Sequence, residues 1–300
     1  MTLFFAMVID ALFGEPKAVW DRIPHPAILM GRLIGVMDKR FNRGTARKAK
    51  GTAVMIALGA GAILVGVALH SVFGWAAEII ICAILLAQKS LADHVGAVGN
   101  ALRLSVGDGR HCVGMIVGRD TAQMDQSAVA RGAIESAAEN LSDGVIAPAM
   151  WFIIGGLPGL LLYKITNTAD SMIGYKTPRH ADFGWAAARF DDVLNWVPAR
   201  LTGLLIWVLA PRTPLGVIKS EAGFHRSPNA GWPEAAMAHT LNIALSGPRM
   251  YDGAATDDPY VNVQGNHDLG PADIDRAVQV LWKTWGLALL AAMLAGLVRL

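Results

Sequence analysis

Residues 144–163 form an uncharged, apolar stretch that has dense charge on both sides. Between positions 118 and 200 lie nine of the chain's 24 acidic residues and seven of its 26 basic residues, all of them outside this stretch. A charged side chain at the centre of a bilayer costs roughly 2.5 to 3.5 kcal/mol on insertion scales, so charged groups avoid the hydrocarbon. The pattern therefore predicts a polar site at a membrane surface, built around an apolar insertion.

The composition also favours an integral membrane protein. The chain is 53% hydrophobic and 17% charged, with a mean hydropathy of +0.40, whereas soluble domains average about 25% charged residues. A net charge of +2 is too small to indicate nucleic-acid binding, and the basic residues do not alternate with stacking aromatics. Cys82 and Cys112 are too few for a disulfide or metal framework. We expect no signal peptide, because the apolar first residues lack a basic n-region.

Two further apolar runs, 51–69 and 75–91, are long enough to cross a bilayer. The turn between them carries no Lys or Arg, whereas residues 17–50 carry nine. The positive-inside rule therefore predicts that 17–50 lies in the cytoplasm and the turn outside. Weaker candidates are 201–211 and 284–298, the latter followed by Arg299 as an interfacial anchor.

From these runs we predict an all-α, polytopic membrane protein with roughly 4–6 membrane-embedded helices, some of them short or re-entrant. Residues 1–300 are expected to form a single membrane-embedded domain. Its cytoplasmic helices and loops are expected to carry the site.

The stretch 144–163 contains Gly-Gly-Leu-Pro-Gly at 155–159, near its middle. Glycine and proline favour turns and interrupt helices, so we expect a break here. A helical hairpin would return both polar flanks to the same side, whereas a kinked span would separate them. We favour the hairpin, because the flanks resemble two halves of one site. Irregular backbone at membrane depth is tolerated where protein buries it.

Residues 120–143 are predicted to form a helix with a polar stripe. Asp120 and Thr121 are suited to cap a helix running to about residue 141, and Ser-Asp-Gly at 142–144 predicts its end. Glu135 and Glu139 are spaced i, i+4, and Asp143 follows within reach. Mg²⁺ takes one or two carboxylates together with phosphate oxygens, so this stripe is a candidate magnesium face. The alternative is a solvated stripe with an Arg131–Glu135 pair.

Three downstream segments are also candidates. Residues 167–176 hold hydroxyls, a carboxylate and a lysine that can bind a phosphate, or they form a helix start with an Asx turn. Asp191 and Asp192 point about 100° apart on a helix, so one can bind a metal while the other holds an arginine; otherwise they are a surface acidic pair. Residues 227–234 are typical of a cap and turn before a helix over 235–246. The sequence contains no P-loop, dinucleotide or nucleophile-elbow motif.

Together these segments resemble the CobD/CbiB family of cobalamin biosynthesis, the adenosylcobinamide-phosphate synthases. The resemblance runs nearly end to end and rests on an ordered series of motifs: DALFGEP (10–16), HP (25–26), Gly31, GRDT (118–121), ESAAEN (135–140), SDG (142–144), YK (163–164), NTADSM (167–172), GYK (174–176), Arg189, DD (191–192), PAR (198–200) and SPNAGWPE (227–234).

The resemblance implies an ATP-dependent acid–amine ligase that uses Mg²⁺. Such an enzyme joins a carboxylate of adenosylcobyric acid to (R)-1-amino-2-propanol or its O-phosphate, giving adenosylcobinamide or its phosphate. It further implies a multi-pass protein of the bacterial cytoplasmic membrane with its active face in the cytoplasm. Membrane lipid is an expected partner and nucleic acid is not. Homo-oligomers and association with other late cobalamin-biosynthesis enzymes are left open.

Site residues follow from matching the motifs. The catalytic set comprises Glu135, Asp170, Lys176 and Arg189, with Glu135 or Asp170 as the base. The predicted metal ligands are Glu139, Asp143, Asp191 and Asp192. Substrate and phosphate contacts are assigned to His25, Arg119, Asp120, Thr121, Asn140, Asn167, Ser171, Arg200, Ser227, Asn229 and Glu234.

Two other classes of protein remain as alternatives. A membrane transporter for a corrinoid or an ion would also carry broken apolar segments and charged pairs, although no inverted repeat is visible. A non-catalytic membrane regulator similar to the AmpE proteins would not need the intact clusters at 167–176 and 189–192.

Overall fold

The computed structural model describes residues 1–251 and 254–298, and the predicted anchor Arg299 lies outside them. The described chain is predominantly helical, so the all-α prediction is confirmed. Its helices are α1 (Thr2–Phe13), α2 (Lys17–Trp20), α3 (Pro26–Phe41), α4 (Arg47–Leu85), α5 (Gln88–Leu104), α6 (Val106–Val113), α7 (Gln126–Leu141), a π-helical segment (Ser142–Ile146), α8 (Ala147–Ile173), α9 (Trp185–Leu194), α10 (Trp196–Val208), α11 (Leu215–Ala222), α12 (Gly231–Leu241) and α13 (Pro271–Val298).

Four short strands interrupt the helices: β1 (Leu245–Ser246), β2 (Arg249–Tyr251), β3 (Ala254–Thr256) and β4 (Tyr260–Val261). β1 pairs antiparallel with β4, and β2 pairs antiparallel with β3. The prediction of a plain surface loop over 248–271 missed these pairings. The predicted helix over 235–246 was also misplaced, because α12 begins at Gly231 and ends before Asn242, whose left-handed backbone stops it.

Three helical stretches are long and apolar enough to cross a membrane: Arg47–Leu104, Gln126–Ile173 and Pro271–Leu297. α1 and α10 are shorter apolar helices. These lengths and compositions fit a membrane protein.

The described chain forms two compact units. Unit 1 comprises Met1–Ala87, Ala147–Asn195 and the chain from Ala292 onward, and unit 2 comprises Gln88–Ile146 and Trp196–Ala291. The prediction of one membrane-embedded domain stays a prediction.

Within unit 1, α4 folds back on itself at Gly74. This glycine has φ 57° and ψ −142°, a conformation outside the helical region that residues with a Cβ rarely adopt. Nδ1 of His70 lies 3.0 Å from Oε1 of Glu78. In a straight helix two residues eight positions apart are separated by about 12 Å along the axis. The predicted turn between the first two apolar runs is therefore confirmed.

α8 folds back in the same way at Gly156, which has φ 59° and ψ −150°. Ala147 and Tyr163 belong to one buried cluster, although a straight helix would place them about 24 Å apart along its axis. The Gly-Gly-Leu-Pro-Gly break thus produces a helical hairpin, as predicted, rather than a kinked rod. The fold-back leaves the second arm of α8, from Leu157 to Ile173, packed beside α9.

The hairpins of α4 and α8 pack closely because small residues lie at their contact. A Cβ built on Gly66 would lie 2.6 Å from Cα of Pro158, which is backbone and cannot move aside. By contrast, a Cβ built on Gly61 of the same helix meets no atom within 4 Å.

We expect Gly66→Ala to destabilise the protein by about 1–3 kcal/mol, the usual cost of overpacking a well-filled contact. Gly61→Ala is the matched control and should be neutral or slightly stabilising, since alanine favours a helix. Thermal unfolding of the two variants in the same detergent measures the difference. Equal melting temperatures would contradict the close contact.

Unit 2 is built around α7. The face of this helix that carries Ala130, Ile134, Ala138 and Leu141 is buried along its length. The start of α7 was predicted too early: its N-cap is Asp125, whose carboxylate accepts from the Ala128 amide at 2.7 Å. α7 ends at Leu141, as predicted. Ser-Asp-Gly at 142–144 does not stop the helical path, however, because these residues belong to the π-helical segment that leads into α8.

Candidate active site

The first cluster of site residues lies in unit 1, where α8 and α9 face each other. Asn167 and Asp170 are i, i+3 on α8, and Asp191 and Asn195 are i, i+4 at the end of α9. These spacings place each pair on one face of its helix. The packing of α8 against α9 brings the faces together, and we call Asn167, Asp170, Asp191, Asp192 and Asn195 the aspartate cluster.

Hydrogen bonds hold the buried Asp191 carboxylate from both sides. Asn195 donates through Nδ2 to Oδ2 at 2.9 Å, and Asn167 donates through Nδ2 to Oδ1 at 3.3 Å. The hydroxyl of Tyr163 donates to Oδ1 of Asn195 at 3.0 Å and fixes that amide. The orientation of Asp191 is therefore set before any ligand binds.

Burial and neighbouring carboxylates both act on the aspartate cluster. Burial raises the pKa of Asp191 to about 7, and the nearby Asp170 carboxylate adds to the shift against the hydrogen bonds from Asn195 and Asn167. Burial also raises the pKa of Asp192, although Arg189 and Lys176 oppose it. Buried carboxylates that repel each other favour a bound cation, so the donor set fits Mg²⁺.

The exposed rim of this cluster carries the remaining predicted residues of unit 1. Nη1 of Arg189 lies 3.6 Å from Oδ2 of Asp192, so one of the adjacent aspartates holds an arginine, as predicted. Lys176 is exposed. The Ser171 hydroxyl donates to the Asn167 carbonyl at 2.9 Å. Their predicted contacts with phosphate stay predictions.

The second cluster lies in unit 2 and consists of two buried acids and two arginines, Glu135, Glu234, Arg119 and Arg249. We call it the arginine–glutamate cluster. Nη2 of Arg119 lies 2.7 Å from Oε2 of Glu135, and both side chains are only 8% exposed. Nη2 of Arg249 lies 3.2 Å from Oε1 of Glu135 and 3.6 Å from Oε1 of Glu234. The Ser246 amide donates to Oε1 of Glu135 at 2.7 Å.

These contacts exclude the predicted Arg131–Glu135 pair, whereas the magnesium face stays a prediction. Glu135 is buried and bound by Arg119 and Arg249, so it does not belong to a solvated stripe. Arg131 donates to the carbonyls of Ala244 and His267 instead of pairing with Glu135. The Glu135 carboxylate accepts from the Ser246 amide and pairs with two guanidiniums, so it is placed to position the arginines. The assignment of Glu135 or Asp170 as the base stays a prediction.

Glu234 is a buried acid whose pKa is strongly raised. Burial raises its pKa to about 8, and Glu135 adds to the shift while Arg249 opposes it. His225 lies 3.7 Å away through Nε2, but burial and the Arg249 charge lower its pKa. The neutral form of His225 supplies no countercharge near pH 7.

The raised pKa of Glu234 predicts a pH dependence of stability. The folded chain binds this proton more tightly than the unfolded chain, so the stabilisation is full below about pH 4.5 and is lost as pH rises through about 8. The slope attributable to one group is at most about 1.4 kcal/mol per pH unit. Melting temperatures between pH 5 and pH 8 should fall less steeply in Glu234→Gln than in the wild type. Parallel curves would contradict the assignment.

A cavity of about 630 Å³ opens beside the arginine–glutamate cluster. Its wall is formed by the loop before α7, by α7 itself and by the chain around β2, and it includes three arginines, Arg119, Arg131 and Arg249. Asp120 and Thr121 line it as well, so the predicted GRDT motif faces this cavity. Nε of Arg119 is buried without a hydrogen-bond partner among the described residues. The cavity therefore offers arginine donors to an anion.

The predicted residues around 227–234 mostly stabilise their own fold. The Ser227 hydroxyl accepts from the Asn229 and Ala230 amides, which confirms the predicted turn. The predicted cap is wrong, because α12 begins at Gly231 and its N-cap, Ala230, has no side chain that could accept a hydrogen bond. Arg200 donates to Oδ1 of Asn229 at 3.2 Å and stacks on the ring of Trp232. Arg200 does not line the cavity. A phosphate contact for Arg200, Ser227 or Asn229 stays a prediction.

Two other predicted contacts, His25 and Asn140, also have partners within the fold. The N-cap of α3 is His25, whose Nδ1 accepts from the Ala27 amide, and its Nε2 lies 3.1 Å from the Ile84 carbonyl oxygen. Asn140 donates to the carbonyl of Ser136 at 2.9 Å. Substrate binding by either residue stays a prediction.

The predicted metal ligands divide between the units. Glu139 is exposed and Asp143 half-buried in unit 2, whereas Asp191 and Asp192 belong to unit 1. In the described part of the chain, no three His, Cys, Asp or Glu side chains group closely enough to hold a metal by themselves. A magnesium ion would therefore take one or two carboxylates together with phosphate oxygens.

Two residues of these clusters and a third beside them were not predicted from the sequence. Arg249 gave one weak signal, since it is the sole Lys or Arg between positions 248 and 271. Asn195 could have been found from its i+4 spacing to Asp191. Tyr163 lay in a quoted motif, but nothing in the sequence placed its hydroxyl beside α9.

The chain is similar along its length to proteins of known name. It matches the family model described as CobD/CbiB protein over residues 3–281. It is 47% identical to the cobalamin biosynthesis protein CobD of Sinorhizobium fredii, over 94% of this chain and 92% of that protein. It is 44% identical to the protein of that name from Brucella suis, over 99% and 98%, and 43% identical to that from Rhodobacter capsulatus, over 97% and 93%. No solved structure matches it.

Proposed function

The chain belongs to the CobD/CbiB family, and we propose that it is an ATP-dependent amide ligase of cobalamin biosynthesis. Its substrates are adenosylcobyric acid and (R)-1-amino-2-propanol or the O-phosphate of that amino alcohol. Its product is adenosylcobinamide or adenosylcobinamide phosphate.

The observation that carries this proposal is the arginine-lined cavity of unit 2. Arg119 and Arg249 share the Glu135 carboxylate and line the cavity together with Arg131. Arginine binds phosphate oxygens with paired N–H donors, and preorganised donors stabilise charge on a transferring phosphoryl group. A shared anchor keeps both guanidiniums in place between turnovers.

The reaction requires the carboxylate to be activated. An oxygen of the adenosylcobyric acid carboxylate attacks the γ-phosphorus of ATP, ADP leaves, and an acyl phosphate forms. The amine nitrogen then attacks the acyl carbon, inorganic phosphate leaves with the bonding electrons, and the amide forms. The amino group must lose a proton to attack, so a carboxylate must accept it.

The residues of this chain supply the positioning. Arg119, Arg131 and Arg249 orient phosphate oxygens in the cavity, and Asp170 accepts the proton of the amine. Lys176 and Arg189 at the rim of the aspartate cluster are further phosphate contacts. Asp191 and Asp192 would hold Mg²⁺, with Glu139 and Asp143 as the other candidate ligands. Bound Mg²⁺ supplies neutralisation of phosphate charge.

We place the protein in the bacterial cytoplasmic membrane, with its active face in the cytoplasm. The six basic residues between positions 39 and 50, next to the apolar run 51–69, support this orientation through the positive-inside rule. ATP is then available on the side where the site is expected.

Substrate-dependent ATP hydrolysis tests the ligase against the transporter. With the purified protein in nanodiscs, release of ADP should require adenosylcobyric acid and the amine together, and a product of the amide's mass should accumulate in equal amount. Corrinoid or ion flux across proteoliposomes without amide formation would instead establish the transporter. An AmpE-like regulator would show neither activity.

A further inference from the structure

Unit 1 contains an apolar groove that the proposed reaction does not use. It has a volume of about 940 Å³ and is lined by α3, α4 and the second arm of α8. Of the described residues that line it, Lys50 alone carries a charge. We call it the α3–α4 groove.

The groove is open along its side. Leu29 and Leu33 of α3 are 49% and 44% exposed, and Val65 of α4 is 53% exposed. All three line the groove. They lie beside the apolar run 51–69, which belongs to a helical stretch suited to cross a membrane. The opening therefore faces the hydrocarbon if that run spans the bilayer.

Its length suits an extended acyl chain. In the first arm of α4, before Gly74, the lining residues run from Lys50 to Leu69, a distance of about 28 Å along the helix axis. One leaflet contributes about 15 Å of hydrocarbon, half of the bilayer core. A lipid chain from one leaflet therefore fits within the groove, with its head near one end.

The charge lies at one end only. Lys50 donates to the Arg43 carbonyl at 2.8 Å, which uses one of its three ammonium hydrogens. The Arg43 side chain is exposed, and no partner for its guanidinium occurs among the described residues. Arg47 and Lys48, by contrast, are engaged with Asp182 and the ring of Trp185. Lys50 and Arg43 are thus available to a phosphate.

We propose that the α3–α4 groove is a binding site for an anionic phospholipid. The acyl chain lies along α3 and α4, and the phosphate binds Lys50 and Arg43. Packing of the chain holds the lipid in the groove, and the two cations select an anionic head group.

A groove-filling substitution tests the proposal. Gly61 lines the groove, and because a Cβ there meets no atom within 4 Å, a larger side chain can enter the open space. Ala60 is exposed on the same helix and does not line the groove. Native mass spectrometry of protein reconstituted with phosphatidylglycerol and transferred to mild detergent should show retained lipid in the wild type and in Ala60→Phe. In Gly61→Phe the retained lipid should fall at least fivefold.

Head-group selection is measured separately, so the proposal remains testable if Gly61→Phe does not fold. Lipid-stripped wild-type protein is titrated with phosphatidylglycerol and with phosphatidylcholine of the same palmitoyl chains. The wild type should prefer phosphatidylglycerol, and Lys50→Gln should reduce that preference about fivefold, the usual contribution of one basic residue near an anionic membrane surface. Lys50→Arg should preserve it.

Three outcomes would overturn the proposal. The first is equal lipid retention by Gly61→Phe and Ala60→Phe. The second is equal binding of both lipids by the wild type. The third is efficient disulfide cross-linking between two copies of Leu29→Cys or of Leu33→Cys, which would show that a second copy covers the groove.

Discussion

Asp191→Asn is expected to lower the kcat of ATP-dependent amide formation by at least about 100-fold without unfolding the protein. Loss of even the partners of metal ligands typically costs 10–100-fold, and here a proposed ligand itself loses its charge. The substitution also removes a buried carboxylate beside Asp170, so the melting temperature should stay the same or rise. Product mass and thermal unfolding, measured on the same preparation at pH 8, separate the two effects.

Asp182→Asn provides the matched control in unit 1. Asp182 is 59% exposed and pairs with Arg47 at 3.3 Å, and exposed pairs contribute little to stability. Its turnover and melting temperature should both remain close to those of the wild type. If Asp191→Asn kept full turnover, Asp191 would not be a ligand or any other part of the site.

The second large effect concerns Glu135. Glu135→Ala removes the carboxylate that Arg119 and Arg249 share and leaves both guanidiniums buried without it. Breaking a buried pair from one side costs about 3–5 kcal/mol, and turnover should fall as well, because the arginines of the cavity lose their anchor. Chemical unfolding in detergent measures the loss, and the double variant Arg119→Ala/Glu135→Ala should lose less than the sum of the single variants.

An exposed ion pair of unit 2 provides the control for Glu135→Ala. Arg103 pairs with Asp275, and both side chains are more than 40% exposed. Asp275→Ala should cost less than about 1 kcal/mol. A similar loss in Glu135→Ala and Asp275→Ala would show that the arginine–glutamate cluster has no special role in the fold.

Much of unit 1 could be predicted because backbone chemistry is local. Gly156 and Pro158 belong to a Gly-Gly-Leu-Pro-Gly segment that interrupts a helix, and this interruption predicted the hairpin of α8. The turn around Gly74 was predicted because this residue lies in the short segment between the apolar runs 51–69 and 75–91. The 100° step between adjacent helical residues likewise predicted that only one of Asp191 and Asp192 holds an arginine, and Asp192 pairs with Arg189.

The arginine–glutamate cluster could not be predicted in full because its partners are distant in sequence. Helical spacing suggested Arg131 as the partner of Glu135, whereas Arg119 and Arg249 bind it in the fold. Burial of the Glu135 face of α7 excludes the solvated pair, and burial depends on tertiary packing. The cap at Asp120 was misjudged for a related reason, since both Asp120 and Asp125 have suitable side chains and the loop path decides between them.

Isotope transfer from the corrinoid carboxylate tests the proposed ligase most directly. Adenosylcobyric acid labelled with ¹⁸O in the reacting carboxylate is incubated with ATP, the amine and the purified protein. Activation as an acyl phosphate predicts one ¹⁸O atom in the inorganic phosphate for each amide formed, with ADP as the other product. Release of labelled AMP, or amide formation without labelled phosphate, would contradict this route, and the absence of any amide would contradict the proposed function itself.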